Sequence, residues 1–179
     1  DPILRKYGNT IKNKVTYALN EKADYKSTVI GYDKFARPKI IINVNGKIVT
    51  TTIPISGEKN VLNFTASFAI ASELGLTNLQ ILKAAKKIKS YNKRLEIKNH
   101  KNFTMINDTY NANPDSMRAS LEILSKIKSR KRKIAVLGDM FELGKESKNK
   151  HLELANIINK TQINEVYTIG RMMKLMNRK

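Results

Sequence analysis

The second half of the chain alternates short apolar runs with longer amphipathic stretches. Residues 114–128 and 146–160 carry apolar side chains at helical spacing, and strand-like runs lie at Leu95–Lys98, Phe103–Ile106, Lys133–Leu137 and Glu165–Ile169. Strands separated by helices predict an α/β fold with a parallel sheet and right-handed crossovers. Only two such crossover units are present, so this domain is expected to be the first part of a larger one.

The first half has a different pattern, with strands followed by helices. Strand-like runs lie at Val15–Leu19, Lys39–Val44 and Lys47–Ile53, with the hairpin turn signal Asn45-Gly46 between the last two. From Asn60 the spacing becomes helical, with Val61, Phe64, Phe68 and Ala71 on one face and Gly75 placed to end the helix. Thr77 and Gln80 form a capping-box pattern for a second helix over residues 78–89. The polar stretch Ser90–Lys93 then predicts a linker that divides the chain into residues 1–93 and 94–179.

Composition narrows the classes of protein to which the chain can belong. The 179 residues include no cysteine, which excludes disulfides and thiolate chemistry. No apolar run reaches the ~20 residues that a membrane helix needs, and no secretory signal is visible. These features predict a cytoplasmic protein without membrane insertion. Because the first residue is Asp1 rather than Met, we expect the chain to be cut from a longer one.

The strong positive charge raises the question of nucleic-acid binding. The formal net charge is +19, but the lysines are scattered, and the tightest cluster, Ser129–Lys133, lies between a predicted helix and a predicted strand. The chain lacks the basic stripe with interleaved aromatic residues that favours single-strand binding. We therefore predict a solvated turn at this cluster and no nucleic-acid partner, with a basic binding module for RNA or anionic surfaces kept as an alternative.

The loop Asn107–Ser116, with the sequence NDTYNANPDS, is unusually polar and joins a predicted strand to a predicted helix. Ligands bind at such connections in open α/β sheets. Local structure accounts for part of the loop, since Asn113 followed by Pro114 fits a helix N-cap and first helical residue. Asp108, Tyr110 and Asn111 are not needed for a cap, which makes them candidate ligand-binding residues.

Two long motifs carry a family resemblance. NDTYNANPDSM at residues 107–117 and IAVLGDMFELGKES at residues 134–147, followed by His151, resemble the Mur ligases. Upstream, GEKNVLNFTASFAIASELG at residues 57–75 resembles a helix of the family's central domain, and KRLEI at residues 93–97 resembles the segment that follows it. Within the family, the pattern is most similar to ligases that join D-alanyl-D-alanine to a UDP-N-acetylmuramoyl tripeptide.

This resemblance implies a UDP-binding domain, a central ATPase domain and a Rossmann-like C-terminal domain, of which this chain would hold the end of the second and the first part of the third. It implies a reaction in which ATP phosphorylates a substrate carboxylate, an amine attacks the acyl phosphate, and Mg²⁺ assists. The chain has no G-x-x-x-x-G-K-[ST] loop to bind the phosphates. We therefore expect no catalytic residue and no metal ligand within it, and no activity from it alone.

The resemblance also assigns expected roles to individual residues. Asn60 and Asn63 match two asparagines of the family, the second of which lies near the adenine, and Arg94 matches an arginine near the ribose and phosphates. Asp108 matches an aspartate that accepts hydrogen bonds from the ribose hydroxyls, a suitable partner for an acceptor-only carboxylate. The remaining expected site residues are Tyr110, Asn111 and Asn113 in the same pocket, and Asp139 and Glu142 on the side where the dipeptide approaches.

Some features depart from the family pattern or leave alternatives open. The family usually has His at the position of Lys59 and Gly at the position of Lys93, where glycine would ease a hinge. His151 is predicted to be a partly exposed helix residue, with a site role as the alternative. The chain could instead belong to a Mur-type ligase for another amino acid or to one that adds glutamate to folate. We expect the parent enzyme to be a monomer.

Overall fold

A computed structural model of the chain describes residues 2–19, 21–44, 46–91 and 93–176. After a short helix, α1 (Pro2–Gly8), comes a four-stranded sheet in the order β1 (Tyr17–Leu19), β2 (Tyr25–Tyr32), β3 (Pro38–Val44) and β4 (Lys47–Thr52). Strands β2, β3 and β4 pair antiparallel, and β1 pairs parallel with β2. The predicted turn residue Asn45 lies outside the described residues, and Gly46 after it has a φ of 83°.

Two helices, α2 (Lys59–Glu73) and α3 (Asn78–Ala85), form a core with this sheet. The predicted apolar face of α2 is confirmed, since Val61, Phe64 and Phe68 are buried in the same cluster as Ile40 and Ile42. Gly75 follows the helix with a φ of 87°, as its predicted role in ending the helix requires. The capping box of Thr77 and Gln80 is also confirmed, although α3 ends four residues before the predicted position.

The second half contains two small sheets and three helices. A hairpin of β5 (Glu96–Asn99) and β6 (Thr104–Asn107) leads into α4 (Pro114–Lys126), and β7 (Ile134–Gly138) pairs parallel with β8 (Glu165–Ile169). A 3₁₀ turn at Gly144–Glu146 precedes α5 (Ser147–Ile158), and α6 (Met173–Met176) follows β8. A second core forms between these elements, with buried side chains at Met117, Leu121, Leu137, Met140, Leu154 and Met173.

The structure differs from the sequence prediction in several elements. Of the two predicted crossover units, β7–α5–β8 has parallel strands, whereas β6 pairs antiparallel with β5 in a separate sheet, because the turn between Asn99 and Thr104 is too short for a crossover. Helix α6 was not predicted. Strand β2 was not predicted, since the buried Ser27, which hydrogen-bonds to Thr65 at 2.6 Å, interrupts its apolar alternation. Helix α1 was not predicted either, since its seven residues are too few for a clear helical period and its first turn contains no acidic residue.

The basic cluster Ser129–Lys133 is an exposed turn, as predicted. Lys131 donates to the carbonyl of Asn102 at 2.8 Å, and Arg132 pairs with Glu165 at 2.5 Å. Within the described part of the chain, every helix is too short or too polar to cross a bilayer. Among the described strands, no sheet combines strands from both sides of residue 93, and the division of the chain at that residue stays a prediction.

Candidate functional site

The chain segments that enter and leave the β5–β6 hairpin lie side by side. Residues 93–95 enter β5 and residues 108–110 leave β6, and the pairing of Glu96 with Asn107 brings them side by side. The N–H of Tyr110 donates to the carbonyl of Lys93 at 3.1 Å, and the N–H of Leu95 donates to Asp108 Oδ1 at 3.0 Å. This region, which we call the crossing (residues 93–95 and 108–110), collects three of the predicted site residues.

Arg94 and Tyr110 stack on each other in the crossing. The guanidinium carbon of Arg94 lies 3.9 Å from the centroid of the Tyr110 ring, within the range of a cation–π interaction. Both side chains are exposed, with 57% of Tyr110 accessible to solvent. The ring therefore orients the guanidinium while its N–H donors remain accessible to a ligand.

Asp108 is half-buried and already accepts two hydrogen bonds. Oδ1 accepts a hydrogen bond from Leu95 N–H, and Oδ2 accepts one from the hydroxyl of Ser120 on α4. A carboxylate offers about four lone-pair positions, so about two remain for a ligand. The contacts of Asp108 are thus compatible with a ligand that brings further hydroxyl donors.

The backbone of the crossing is strained. Lys93 and Leu95 have φ values of 59° and 50°, in the left-handed region that costs a non-glycine residue roughly 1–2 kcal/mol. Strain of this kind concentrates at ligand sites, where the surrounding contacts maintain it. Lys93 therefore occupies a position whose backbone conformation favours glycine.

The remaining polar residues of the loop have local structural roles. Asn113 is the N-cap of α4, as predicted, since its side chain accepts from Ser116 N–H at 2.8 Å and the Ser116 hydroxyl accepts from Asn113 N–H. The Asn111 side chain accepts from the N–H of Ala112 at 2.8 Å and is exposed. Both residues shape the loop: the Asn113 side chain caps α4, and the Asn111 side chain does not.

Next to the crossing lies a cleft of about 200 Å³ between the start of α2 and the face of α4. Its lining includes Leu95 of the crossing and the predicted site residue Asn60, whose amide donates to the carbonyl of Ser56 at 2.7 Å. Asn63, one turn further along α2, is exposed. Ligand pockets usually measure about 300–1,000 Å³, so the cleft in this form admits only part of a nucleotide.

Two ion pairs connect the two sides of this cleft, and a tyrosine hydrogen-bonds to one of the paired carboxylates. Lys126 on α4 lies 3.8 Å from Glu58, and Lys59 lies 3.9 Å from Asp115. The Tyr32 hydroxyl donates to Glu58 at 2.9 Å, and burial together with this hydrogen bond and the charge of Glu58 raises the pKa of Tyr32 to about 12. Tyr32 is therefore a neutral donor at physiological pH.

Asp139, Glu142 and His151 lie around the end of β7, in a separate group. Asp139 accepts from Met173 N–H at 2.7 Å and Met172 N–H at 3.3 Å. Burial acts to raise the pKa of Asp139, but the hydrogen bonds from the N–H groups of Met173 and Met172 outweigh burial and lower that pKa. Glu142 is exposed in a turn with a φ of 62°.

The prediction of a partly exposed His151 is wrong, because the side chain is fully buried. Its Nε2 accepts from Met140 N–H at 3.0 Å, which leaves Nδ1 to donate to the carbonyl of Ser147 at 2.7 Å. These two bonds fix the orientation of the imidazole ring, which connects the end of β7 to the start of α5. Sequence spacing could not reveal this burial, because it depends on how α5 packs against the sheet.

Comparison with known proteins identifies the family. Residues 93–178 match the family described as Mur ligase, glutamate ligase domain. The chain belongs to the Mur ligase family. Two curated Mur ligases named UDP-N-acetylmuramoyl-tripeptide–D-alanyl-D-alanine ligase are similar to it. The one from Bacillus subtilis is 36% identical over 69% of this chain and 27% of its own length. The one from Buchnera aphidicola (strain Bp) is 38% identical over 73% and 28%.

A solved Mur ligase structure has the same architecture. The MurF ligase from Thermotoga maritima in complex with ADP superposes with a TM-score of 0.79 and 25% identity, covering 98% of this chain and 40% of that one. The fold is therefore the expected Mur ligase α/β fold. The chain spans less than a third of the length of these two curated relatives.

Proposed function

We propose that the protein contributes to an ATP-dependent ligase that joins D-alanyl-D-alanine to a UDP-N-acetylmuramoyl tripeptide, a step in the synthesis of peptidoglycan precursors in the cytoplasm. The names of two similar ligases and the ADP bound to a third protein of like structure support this proposal. Within the chain, its main support is the crossing, where an orienting aromatic ring, a guanidinium and a carboxylate with spare acceptor capacity lie together.

In this proposal the crossing binds the ribose and phosphates of ATP. Asp108 accepts hydrogen bonds from the ribose hydroxyls with its remaining lone pairs, and Arg94, oriented by Tyr110, donates to phosphate oxygens. Asn63 contacts the adenine, and the carbonyl oxygen of the Asn60 amide is available to accept a hydrogen bond from the nucleotide. Asn111 and Asn113 maintain the shape of the loop.

The proposal leaves the chemistry of bond formation to other parts of the enzyme. ATP would supply the phosphoryl group that activates the substrate carboxylate. Mg²⁺, held by residues outside this chain, would neutralise part of the phosphate charge. We propose that Asp139 and Glu142 lie where the dipeptide approaches, with Asp139 also securing the start of α6. The intact enzyme is proposed to be a monomer, with residues 1–93 and 94–179 in successive domains.

The direct test uses the full-length protein that contains this chain. It should form the UDP-N-acetylmuramoyl pentapeptide, detected by mass spectrometry, only when ATP, Mg²⁺, the tripeptide and D-alanyl-D-alanine are all supplied. If D-alanyl-D-alanine can be replaced by glutamate or by another amino acid, the protein is a different Mur-type ligase.

The role of Asp108 has its own test. Hydrogen bonds to charged groups contribute about 1.5–3 kcal/mol, so Asp108→Ala should raise the Michaelis constant for ATP by roughly one to two powers of ten. Asp108→Asn should have a smaller effect, because its amide oxygen still accepts. The Michaelis constant for the UDP-linked substrate should barely change. An unchanged constant for ATP in a folded Asp108→Ala protein would show that this loop does not bind nucleotide.

A further inference from the structure

Ser120 stands out because its hydroxyl connects α4 to the crossing. Ser120 Oγ makes a hydrogen bond to Asp108 Oδ2 and also lies 3.0 Å from the carbonyl oxygen of Ser116, one helical turn earlier. A hydroxyl has one proton to donate, and a charged acceptor forms the stronger bond. The proton of Ser120 is therefore directed at Asp108.

The two oxygens of Asp108 are bound by two different elements. Leu95 N–H at the start of β5 contacts Oδ1, and Ser120 on α4 contacts Oδ2. The terminal torsion of an aspartate is otherwise broad, so a single donor would leave the carboxylate plane free to rotate. Two donors on opposite oxygens fix that plane, and they fix the directions of the lone pairs that remain.

We propose that Ser120 is a positioning residue of the nucleotide site, which acts by orienting the Asp108 carboxylate toward the ribose hydroxyls. The inference rests on the proposed nucleotide-binding role of Asp108. It assigns a function to a hydroxyl on α4 that does not itself touch the ligand. Helix α4 thus carries two serines with different roles: Ser116 completes the capping box with Asn113, and Ser120 orients the carboxylate.

Removal of the Ser120 hydroxyl has two opposing effects on ligand binding. It frees one lone pair on Oδ2, which would strengthen acceptance from the ligand, and it releases the carboxylate plane, which would weaken that acceptance. The freed rotation of the carboxylate has the larger effect on binding. A ribose diol needs two acceptors in fixed directions, so misorientation weakens both hydrogen bonds at once. Because misorientation weakens the bonds from the ribose hydroxyls without abolishing them, the expected change is about three- to tenfold, less than for Asp108→Ala.

The test compares Ser120→Ala, Ser120→Thr, Asp108→Ala and Ser125→Ala in the full-length protein. Ser125 is the matched control, because it lies on the same helix and accepts a hydrogen bond from Gln162 N–H at 3.4 Å. For each variant, the Michaelis constant and kcat are measured with ATP and with 2′-deoxy-ATP, and folding is checked by thermal melting. The decisive quantity is the Michaelis constant for 2′-deoxy-ATP divided by that for ATP, which we call the discrimination ratio.

We expect Ser120→Ala to raise the Michaelis constant for ATP about three- to tenfold, to leave kcat nearly unchanged and to reduce the discrimination ratio. Ser120→Thr should restore the ratio, and Ser125→Ala should match the wild type. If Asp108→Ala abolishes discrimination while Ser120→Ala retains it, the inference fails and the nucleotide site stands. If the wild type itself does not discriminate and Asp108→Ala has no effect, the nucleotide role of Asp108 fails, and with it the inference.

Discussion

Gly57 provides the sharpest test of how the two halves of the chain fit together. It precedes α2, has a φ of 94°, and its N–H donates to the carbonyl of Ala36 at 3.2 Å. A Cβ at this position would lie 2.8 Å from Cδ1 of Ile123 on α4. Gly57→Ala therefore imposes both a backbone strain and a collision with the opposite half.

The two costs can be estimated separately. The left-handed conformation costs an alanine roughly 1–2 kcal/mol. The Ile123 methyl is the end of a flexible side chain, so its displacement costs only about 0.5–1.5 kcal/mol, the price of an off-rotamer torsion. Alanine also lowers the conformational entropy of the unfolded chain, which offsets about 0.4–1 kcal/mol of these two costs. The net loss in the free energy of unfolding should be about 0.5–3 kcal/mol.

Urea denaturation followed by circular dichroism measures this loss, and a second substitution separates its two causes. Ile123→Val removes Cδ1, and the next nearest side-chain atom, Cγ1, lies 3.5 Å from the added Cβ. In that background Gly57→Ala should cost about 0.5–1.5 kcal/mol less than in the wild type. Gly138→Ala is the control, since its Cβ meets nothing within 4 Å, and it should be neutral or stabilising. An equal cost in both backgrounds would refute the contact between the halves.

Three further predictions concern stability. Lys93→Gly should raise the free energy of unfolding by about 1 kcal/mol, because the φ of 59° suits glycine, and unchanged stability in urea would contradict the strain. Asn113→Ala should lower it by about 0.5–2 kcal/mol through loss of the α4 cap, whereas Asn113→Asp, which retains the acceptor, should not. The lowered pKa of Asp139 stabilises the fold above the unfolded pKa of about 3.9, and this contribution disappears as pH falls through the lower folded value. The stability gap between wild type and Asp139→Asn should therefore be widest near pH 7 and narrow below about pH 4, and a gap independent of pH would exclude this linkage.

The local features of the fold could be predicted from the sequence because each depends on residues a few positions apart. The caps at Thr77 and Asn113 and the end of α2 at Gly75 all follow from spacings within one helical turn. The antiparallel pairing of β5 with β6 also follows from local spacing, since the turn between Asn99 and Thr104 is too short for a crossover. The burial of His151, in contrast, depends on contacts with Met140, eleven residues away in the chain.

The candidate site likewise has features that the sequence predicts and features that it does not. The polar loop marked Asp108 and Tyr110 as residues without a capping role, and the structure indeed gives them contacts outside the cap. Their partners could not be predicted, because Leu95 and Ser120 lie 13 and 12 residues from Asp108 and reach it only through the hairpin register and the direction of α4. The assignment of these residues to a nucleotide stays a prediction.

The left-handed residues on either side of Arg94 affect the fraction of molecules in the binding-competent conformation rather than the affinity of that conformation. At about 1–2 kcal/mol each, Lys93 and Leu95 together disfavour the observed backbone by roughly 30- to 700-fold relative to a relaxed one. The Tyr110 stack and the two hydrogen bonds across the crossing must outweigh that factor for the guanidinium to stay aligned. Each of these contacts therefore controls what fraction of molecules presents Arg94 correctly, so a substitution that weakens one of them dilutes the competent form while leaving its intrinsic affinity intact.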